Sequence, residues 1–229
     1  MSINEFEKNI GVEFNSKFLI KEALTHRSYL NENPNWPVDN NERLEFLGDA
    51  VLELVVTEFL FNKFKDKDEG KLTSIRAALV NHNMLTITAN TINLDNYIKL
   101  SKGEANGVEK AKEVIIGNAV EAIIGAIYID QGYEKVKEFI EKFILINLET
   151  IMKEESYRDP KSFLQEIIQG NKKITPNYKI LEEDGPDHEK KFVVGVFFGD
   201  KLSAKGVGTS KQEAERVAAE EALKKINNE

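Results

Sequence analysis

Asn41-Glu42-Arg43-Leu44-Glu45-Phe46-Leu47-Gly48-Asp49-Ala50-Val51-Leu52 is the stretch on which the reading of this chain turns. Three carboxylates, Glu42, Glu45 and Asp49, stand inside an apolar helical pattern at i, i+3 and i+7. At about 100° per residue they fall within roughly 60° of one helix face. Leu44, Leu47 and Val51 fall opposite. A helix with a buried side and three acids on the other is suited to hold something positive. For an arbitrary helix, a solvated acidic face would be the better explanation. Here the run from Leu44 to Val56 is too apolar for an ordinary exposed surface.

Working outward, helical periodicity dominates the first 150 residues. The pattern predicts a short amphipathic helix over Phe18 to Leu24 and a long one over Asn41 to Phe64, closed by the charged loop Lys65 to Gly70. It predicts more helix from Leu72 to Ala89, with Leu72, Ile75, Leu79 and Val80 on one side. A glycine-containing stretch, Ser101 to Gly107, precedes helix over Val108 to Ile129. Gly132 punctuates, and Tyr133 to Leu148 continues. No strand is expected in this half, which reads as an all-α domain.

Composition changes near Met152. Lys153 to Pro160 is short, polar and ended by proline, as a linker would be. Asp159 is placed to cap a helix with Pro160 in its first turn. The period then becomes two, with a strand around Tyr178 and Ile180 and a turn at Asp184-Gly185-Pro186-Asp187. A second strand follows through Phe192, Val194, Val196 and Phe198, then a Gly199-Asp200 hairpin and a third strand to Gly206. Ser210-Lys211-Gln212-Glu213 reads as a capping box, and Ala214, Ala218 and Ala222 give a small-residue stripe for close packing on a sheet. The order is α-β-β-β-α, a small α+β module. The expected organisation is a helical domain over 1–152, a linker over 153–158 and the α+β domain over 159–229.

The chain has 229 residues, 41% of them hydrophobic, and a net charge of −8. That charge is uneven. From Arg158 onward, 13 Lys or Arg face 13 Asp or Glu, leaving 18 against 26 in the first part. Acidity alone would argue against a nucleic-acid partner, but it belongs to the helical part. The absence of cysteine excludes disulfides and thiolate metal sites. No signal peptide and no membrane-length apolar run is read, so a cytoplasmic protein with no membrane partner is expected.

The octet Glu42 to Asp49 resembles the signature of ribonuclease III, the double-stranded-RNA endonuclease family. Other pieces stand in that family's order: Leu24-Thr25-His26-Arg27-Ser28-Tyr29, Glu69-Gly70-Lys71-Leu72-Thr73, Arg76 to Val80, and Val120 to Tyr128. The last 70 residues resemble a double-stranded-RNA-binding domain. The resemblance implies a metal-dependent endoribonuclease giving 5′-phosphate and 3′-hydroxyl ends, acting on ribosomal and messenger RNA. It implies Mg²⁺, with Mn²⁺ as a substitute and no organic cofactor. Ligands and catalytic acids would be Glu45, Asp49 and Glu121, with Asn118 as a fourth ligand and Glu42 and Glu69 as accessory acids. RNA would be met by Ser162, Gln165, Glu166, Gln169, His188, Ser210 and Lys211. A homodimer is implied, with Phe46 entering the partner.

The sequence departs from the family at Asn118, where aspartate is usual. An amide can ligate Mg²⁺ but carries no charge. Two readings follow: a working site with weaker metal affinity, or a chain that binds double-stranded RNA without cutting it.

Overall fold

The computed structural model describes residues 2–185 and 190–227. It divides into two compact units, Met1–Tyr157 and Arg158–Glu229. The first is built of helices α1 (Ile3–Ile10), α2 (Lys17–Ala23), α3 (Arg27–Glu32), α4 (Glu42–Lys63), α5 (Glu69–Val80), α6 (His82–Thr91), α7 (Lys102–Ala105), α8 (Glu109–Phe143) and α9 (Leu148–Lys153). Its centre is α8, where Ala122, Ile123, Ile124, Ala126 and Ile127 are all fully buried. A helix that is apolar all round belongs inside a core. Each such isoleucine contributes about 1.5–3 kcal/mol on burial. Helix α4 lies along it through Leu52, Val55, Val56 and Leu60.

Two backbone approaches allow α4 and α8 to meet this closely. A Cβ on Gly48 would lie 1.8 Å from the Glu121 carbonyl oxygen, and one on Gly125 would lie 2.2 Å from that of Leu44. Gly132 leaves the helical region with φ 80° and ψ −172°, so α8 is two helical segments joined at a kink.

The helix expected from Leu72 to Ala89 is broken. Asn81 is extended (φ −70°, ψ 163°) and its side chain accepts from the Met84 N–H at 2.9 Å, so it ends α5 and opens α6. The helix expected from Tyr133 to Leu148 ends at Phe143, and four helices were not anticipated: α1, α3, α7 within the glycine-containing stretch, and α9 after Phe143. In α1, the first residues form a full capping box between Ser2 and Glu5, with Phe6 and Ile10 buried. In α3, His26 serves as the cap.

The second unit comprises α10 (Pro160–Lys172), β1 (Asn177–Asp184), β2 (Lys191–Phe198), β3 (Lys201–Gly208) and α11 (Lys211–Asn227), with an antiparallel sheet in the order β1-β2-β3. Asp159 caps α10, accepting from the Ser162 N–H at 2.9 Å. Ala214, Ala218 and Ala222 are fully buried against the sheet. A Cβ on Gly206 would lie 2.2 Å from the Ala218 nitrogen, so the small residues do bring helix and strand together. The capping box is shifted. Ser210 accepts from the Glu213 N–H as expected, but the Glu213 carboxylate reaches back to the N–H and hydroxyl of Thr209.

Candidate active site and nucleic-acid interface

The α4–α8 crossing sets the site. Glu45 and Asp49 leave α4 on either side of Gly48; Asn118 and Glu121 leave α8 just before Gly125. Asn118 Nδ2 donates to Glu45 Oε1 at 2.8 Å across 73 residues of sequence. Burial pushes the Glu121 carboxyl up to about 7, reinforced by the charges of Asp49 and Glu45. Burial also raises Glu45, opposed by the Asn118 hydrogen bond and reinforced by Glu42 and Asp49. Glu45, Asp49 and Glu121 are therefore close enough to feel one another's charge. Among the described residues, no three His, Cys, Asp or Glu side chains are grouped as a ready ligand set.

Beside Glu45 lies a cleft of about 380 Å³, lined by His26, Arg27, Asn41, Glu42, Glu45, Val114, Ile115 and Asn118. Glu42 is exposed and accepts from Arg27 at 3.3 Å. Burial holds the His26 imidazole below its ordinary range. Glu69 is elsewhere. It accepts from the Thr73 hydroxyl at 3.1 Å and lines a different cavity, with Thr57, Phe61 and Arg76. Phe46 projects from α4 with 83% of its surface exposed, and Leu54 and Phe61 are exposed further along.

In the second unit, Ser162, Gln165, Glu166 and Gln169 form an exposed face of α10. Glu166 is paired with Arg158, and Gln169 donates to the Thr175 hydroxyl at 3.2 Å. Ser210 and Lys211 are exposed at the start of α11. His188 lies outside the described residues. Ser162 and Gln165 share a cleft with Lys161, Gln212 and Arg216. Sequence reasoning gave no site role to Gln212 and Arg216 there, nor to His26 and Arg27 beside Glu45, although His26 and Arg27 stand in a motif it quoted.

Two family models match this arrangement. Residues 16–148 match the ribonuclease-III-like family, and residues 160–226 match the double-stranded RNA binding motif. The chain belongs to the ribonuclease III family. Ribonuclease 3 of a Nitratiruptor species is 44% identical over 99% of both chains. That of Syntrophomonas wolfei subsp. wolfei is 47% identical over 95% of this chain and 92% of its own. The solved nuclease domain of ribonuclease III from Campylobacter jejuni superposes with a TM-score of 0.58 at 44% identity, covering 64% of this chain and 98% of its own. This ribonuclease III is an endoribonuclease of double-stranded RNA, with a helical nuclease domain followed by a double-stranded-RNA-binding domain. Full-length relatives named as the enzyme do not favour a binder that cannot cut. No helix among the described residues is long and apolar enough to cross a membrane.

Proposed function

We propose that this ribonuclease III cuts its duplex with Mg²⁺, or Mn²⁺ in its place, held by Glu45, Asp49, Asn118 and Glu121. The donor set fits a hard cation, being three carboxylates and an amide. With Nδ2 engaged on Glu45, the Asn118 amide keeps its oxygen as the atom to offer. The observation that carries the reading is the meeting of acids from α4 and α8 at a glycine crossing, with Glu121 raised by burial and by its neighbours. A bound cation would supply charge neutralisation at the phosphate, an activated water and a stabilised leaving oxygen.

The residues themselves do the rest. Asn118 orients Glu45 through its amide hydrogen. Burial and its acidic neighbours raise Glu121 to about 7, so it is partly protonated at neutral pH, which limits repulsion within the cluster. Asn118 offers no charge, so the site holds its ion less firmly than one with aspartate there. Glu42 acts as an accessory acid beside Glu45, and Glu69 acts as one from its separate cavity. Products are 5′-phosphate and 3′-hydroxyl ends with short 3′ overhangs. Precursor ribosomal RNA and structured messenger RNA in the cytoplasm are the expected substrates.

One active site cuts one strand, so cutting both calls for a homodimer. Phe46 is suited to enter the partner, since burying a phenylalanine of this exposure is worth about 1.5–3 kcal/mol. One of the Campylobacter jejuni structures is described by the flexibility of a region involved in dimer formation of that nuclease domain. The binding module meets the wide minor groove through Ser162, Gln165, Glu166, Gln169 and His188. Ser210 and Lys211 at the α11 terminus meet phosphate. We place the helical domain at 1–152, a linker at 153–158 and the binding domain at 159–229.

Glu121→Gln tests the reading. Cleavage of a long duplex in Mg²⁺ is expected to fall at least a thousand-fold, about 4 kcal/mol of barrier, while gel-shift affinity for the duplex is kept. A variant that still cuts at the wild-type rate would remove Glu121 from the site.

A further inference from the structure

The segment Thr25-His26-Arg27-Ser28 is held more firmly than a short connection between α2 and α3 requires. The His26 N–H donates to the Lys99 carbonyl at 3.1 Å, and the Lys99 N–H returns to Leu24 at 2.8 Å. The Asn41 N–H donates to the Thr25 carbonyl at 2.9 Å. Thr25, fully buried, accepts from Trp36 Nε1 at 3.1 Å. The Ser101 N–H donates to the Ser28 hydroxyl at 3.1 Å, and His26 Nδ1 caps α3 by accepting from Ser28. Several separate pieces of chain thus fix where Arg27 begins. It begins at the wall of the cleft that Glu45 and Asn118 also line.

That cleft has a charge problem. Of its lining residues, Glu42 and Glu45 are acids and Arg27 is the one with a permanent positive charge. A nucleic-acid strand carries a negative charge at every nucleotide, so a phosphate beside the one being cut must also be accommodated. A cation among Glu45, Asp49, Asn118 and Glu121 serves the reacting phosphate, not its neighbour. Arginine's planar fork matches phosphate oxygens in a bidentate way, which lysine cannot do. In the free protein the guanidinium rests on Glu42 at 3.3 Å, with side chains 71% and 52% exposed. A pair so exposed is worth little and is readily exchanged for another anion.

We propose that Arg27 is an RNA-binding residue of the cleavage site, taking a backbone phosphate next to the scissile one. Glu42 is then a positioning residue that keeps the guanidinium over the cleft until RNA arrives. The inference rests on the reading of Glu45, Asp49, Asn118 and Glu121 as the cleavage site.

The test uses the full chain with R27A and R27K, a short RNA duplex, and three readouts: thermal midpoint, single-turnover cleavage against RNA concentration in saturating Mg²⁺, and duplex affinity across a salt series. For R27A, the RNA concentration at half-maximal rate is expected to rise about ten-fold, as loss of a charge-assisted hydrogen bond implies. The slope of log affinity against log salt should fall by about 0.7–0.9 for one lost phosphate contact. R27K should keep the slope and lose part of the affinity. An unchanged slope and half-maximal concentration in R27A would overturn the proposal. If R27A fails to fold, R27K carries the test, and wild-type affinity and rate there would overturn it. If Glu121→Gln still cuts, it is the cleavage-site reading that has failed. If that variant is dead while R27A matches wild type, only the role of Arg27 is lost.

Discussion

In the helical unit the side chains that matter are far apart along the chain. Glu45 and Asn118 are separated by 73 residues and touch only because α4 and α8 press backbone to backbone at Gly48 and Gly125. In the α+β unit, Ser162, Gln165, Glu166 and Gln169 occupy consecutive turns of one exposed helix face. Both units depend on a glycine without room for a side chain, Gly48 in one and Gly206 in the other. The difference is where the glycine stands. Gly48 is inside the site, so packing and chemistry share one contact. Gly206 seats the sheet against α11, and packing there is separate from the exposed face of α10. The cation site proposed between α4 and α8 needs convergence from distant segments. A surface that reads duplex shape needs exposed polar groups held at the right spacing, not convergence into one pocket.

The sharpest break in that comparison is Gly48→Ala set against Gly206→Ala. Either added methyl is expected to cost about 3 kcal/mol, the upper end for overpacking. Gly48→Ala should also cut the cleavage rate by about a hundred-fold or more, since displacements near 1 Å carry that penalty. Gly206→Ala should weaken duplex binding and leave the unfolding transition of the helical unit unchanged. Calorimetry with cleavage and binding assays separates the two. Equal effects on catalysis would erase the distinction.

Asn118→Asp probes the charge of the site alone. The added carboxylate is expected to lower the Mg²⁺ concentration for half-maximal cleavage several-fold. If the metal requirement stays put, Asn118 is not a ligand.

A smaller effect is read from pH in EDTA. Glu121 has a folded pKa of about 7 against an ordinary value of 4.5. The folded protein then holds a proton that the unfolded chain has released, so stability falls as pH rises from about 4.5 to 7 and levels off above. Glu45 and Glu22 are raised too and push the same way. Glu121→Gln should flatten the fall in thermal midpoint. A wild-type midpoint that does not decline across this window would contradict the burial of Glu121 beside Asp49 and Glu45.

Smallest of all are single changes on the α+β face. Lys211→Ala is expected to weaken duplex binding a few-fold and to lower the salt slope by about 0.7–0.9. Gln165→Ala should weaken binding with no change of slope, because a neutral side chain releases no counter-ion. Matching slopes for the two variants would mean Lys211 does not meet phosphate.

Much of the architecture was legible beforehand. The apolar period of α4, the punctuation at Gly132 and the change of period after Met152 reflect local rules of spacing and turn chemistry. The failures were local as well. Asn81 breaks a continuous helical pattern because its side chain satisfies the Met84 N–H and starts a new helix. Glu213 passes over the expected partner for Thr209 because a carboxylate one turn in can reach either residue. In α1, buried Phe6 and Ile10 stand four apart, a helical signal obscured by the alternation of polar and apolar residues.

The candidate site divides in the same way. The acids of α4 could be singled out from the chain alone, because helix periodicity assigns faces and a signature octet is specific. That Arg27 would share a cleft with Asn118, that Glu69 would line another cavity, and that burial beside Asp49 and Glu45 would raise the Glu121 carboxyl could not. Those facts depend on which distant segments a close-packed core brings into contact, and no regular spacing encodes contact between residues dozens of positions apart.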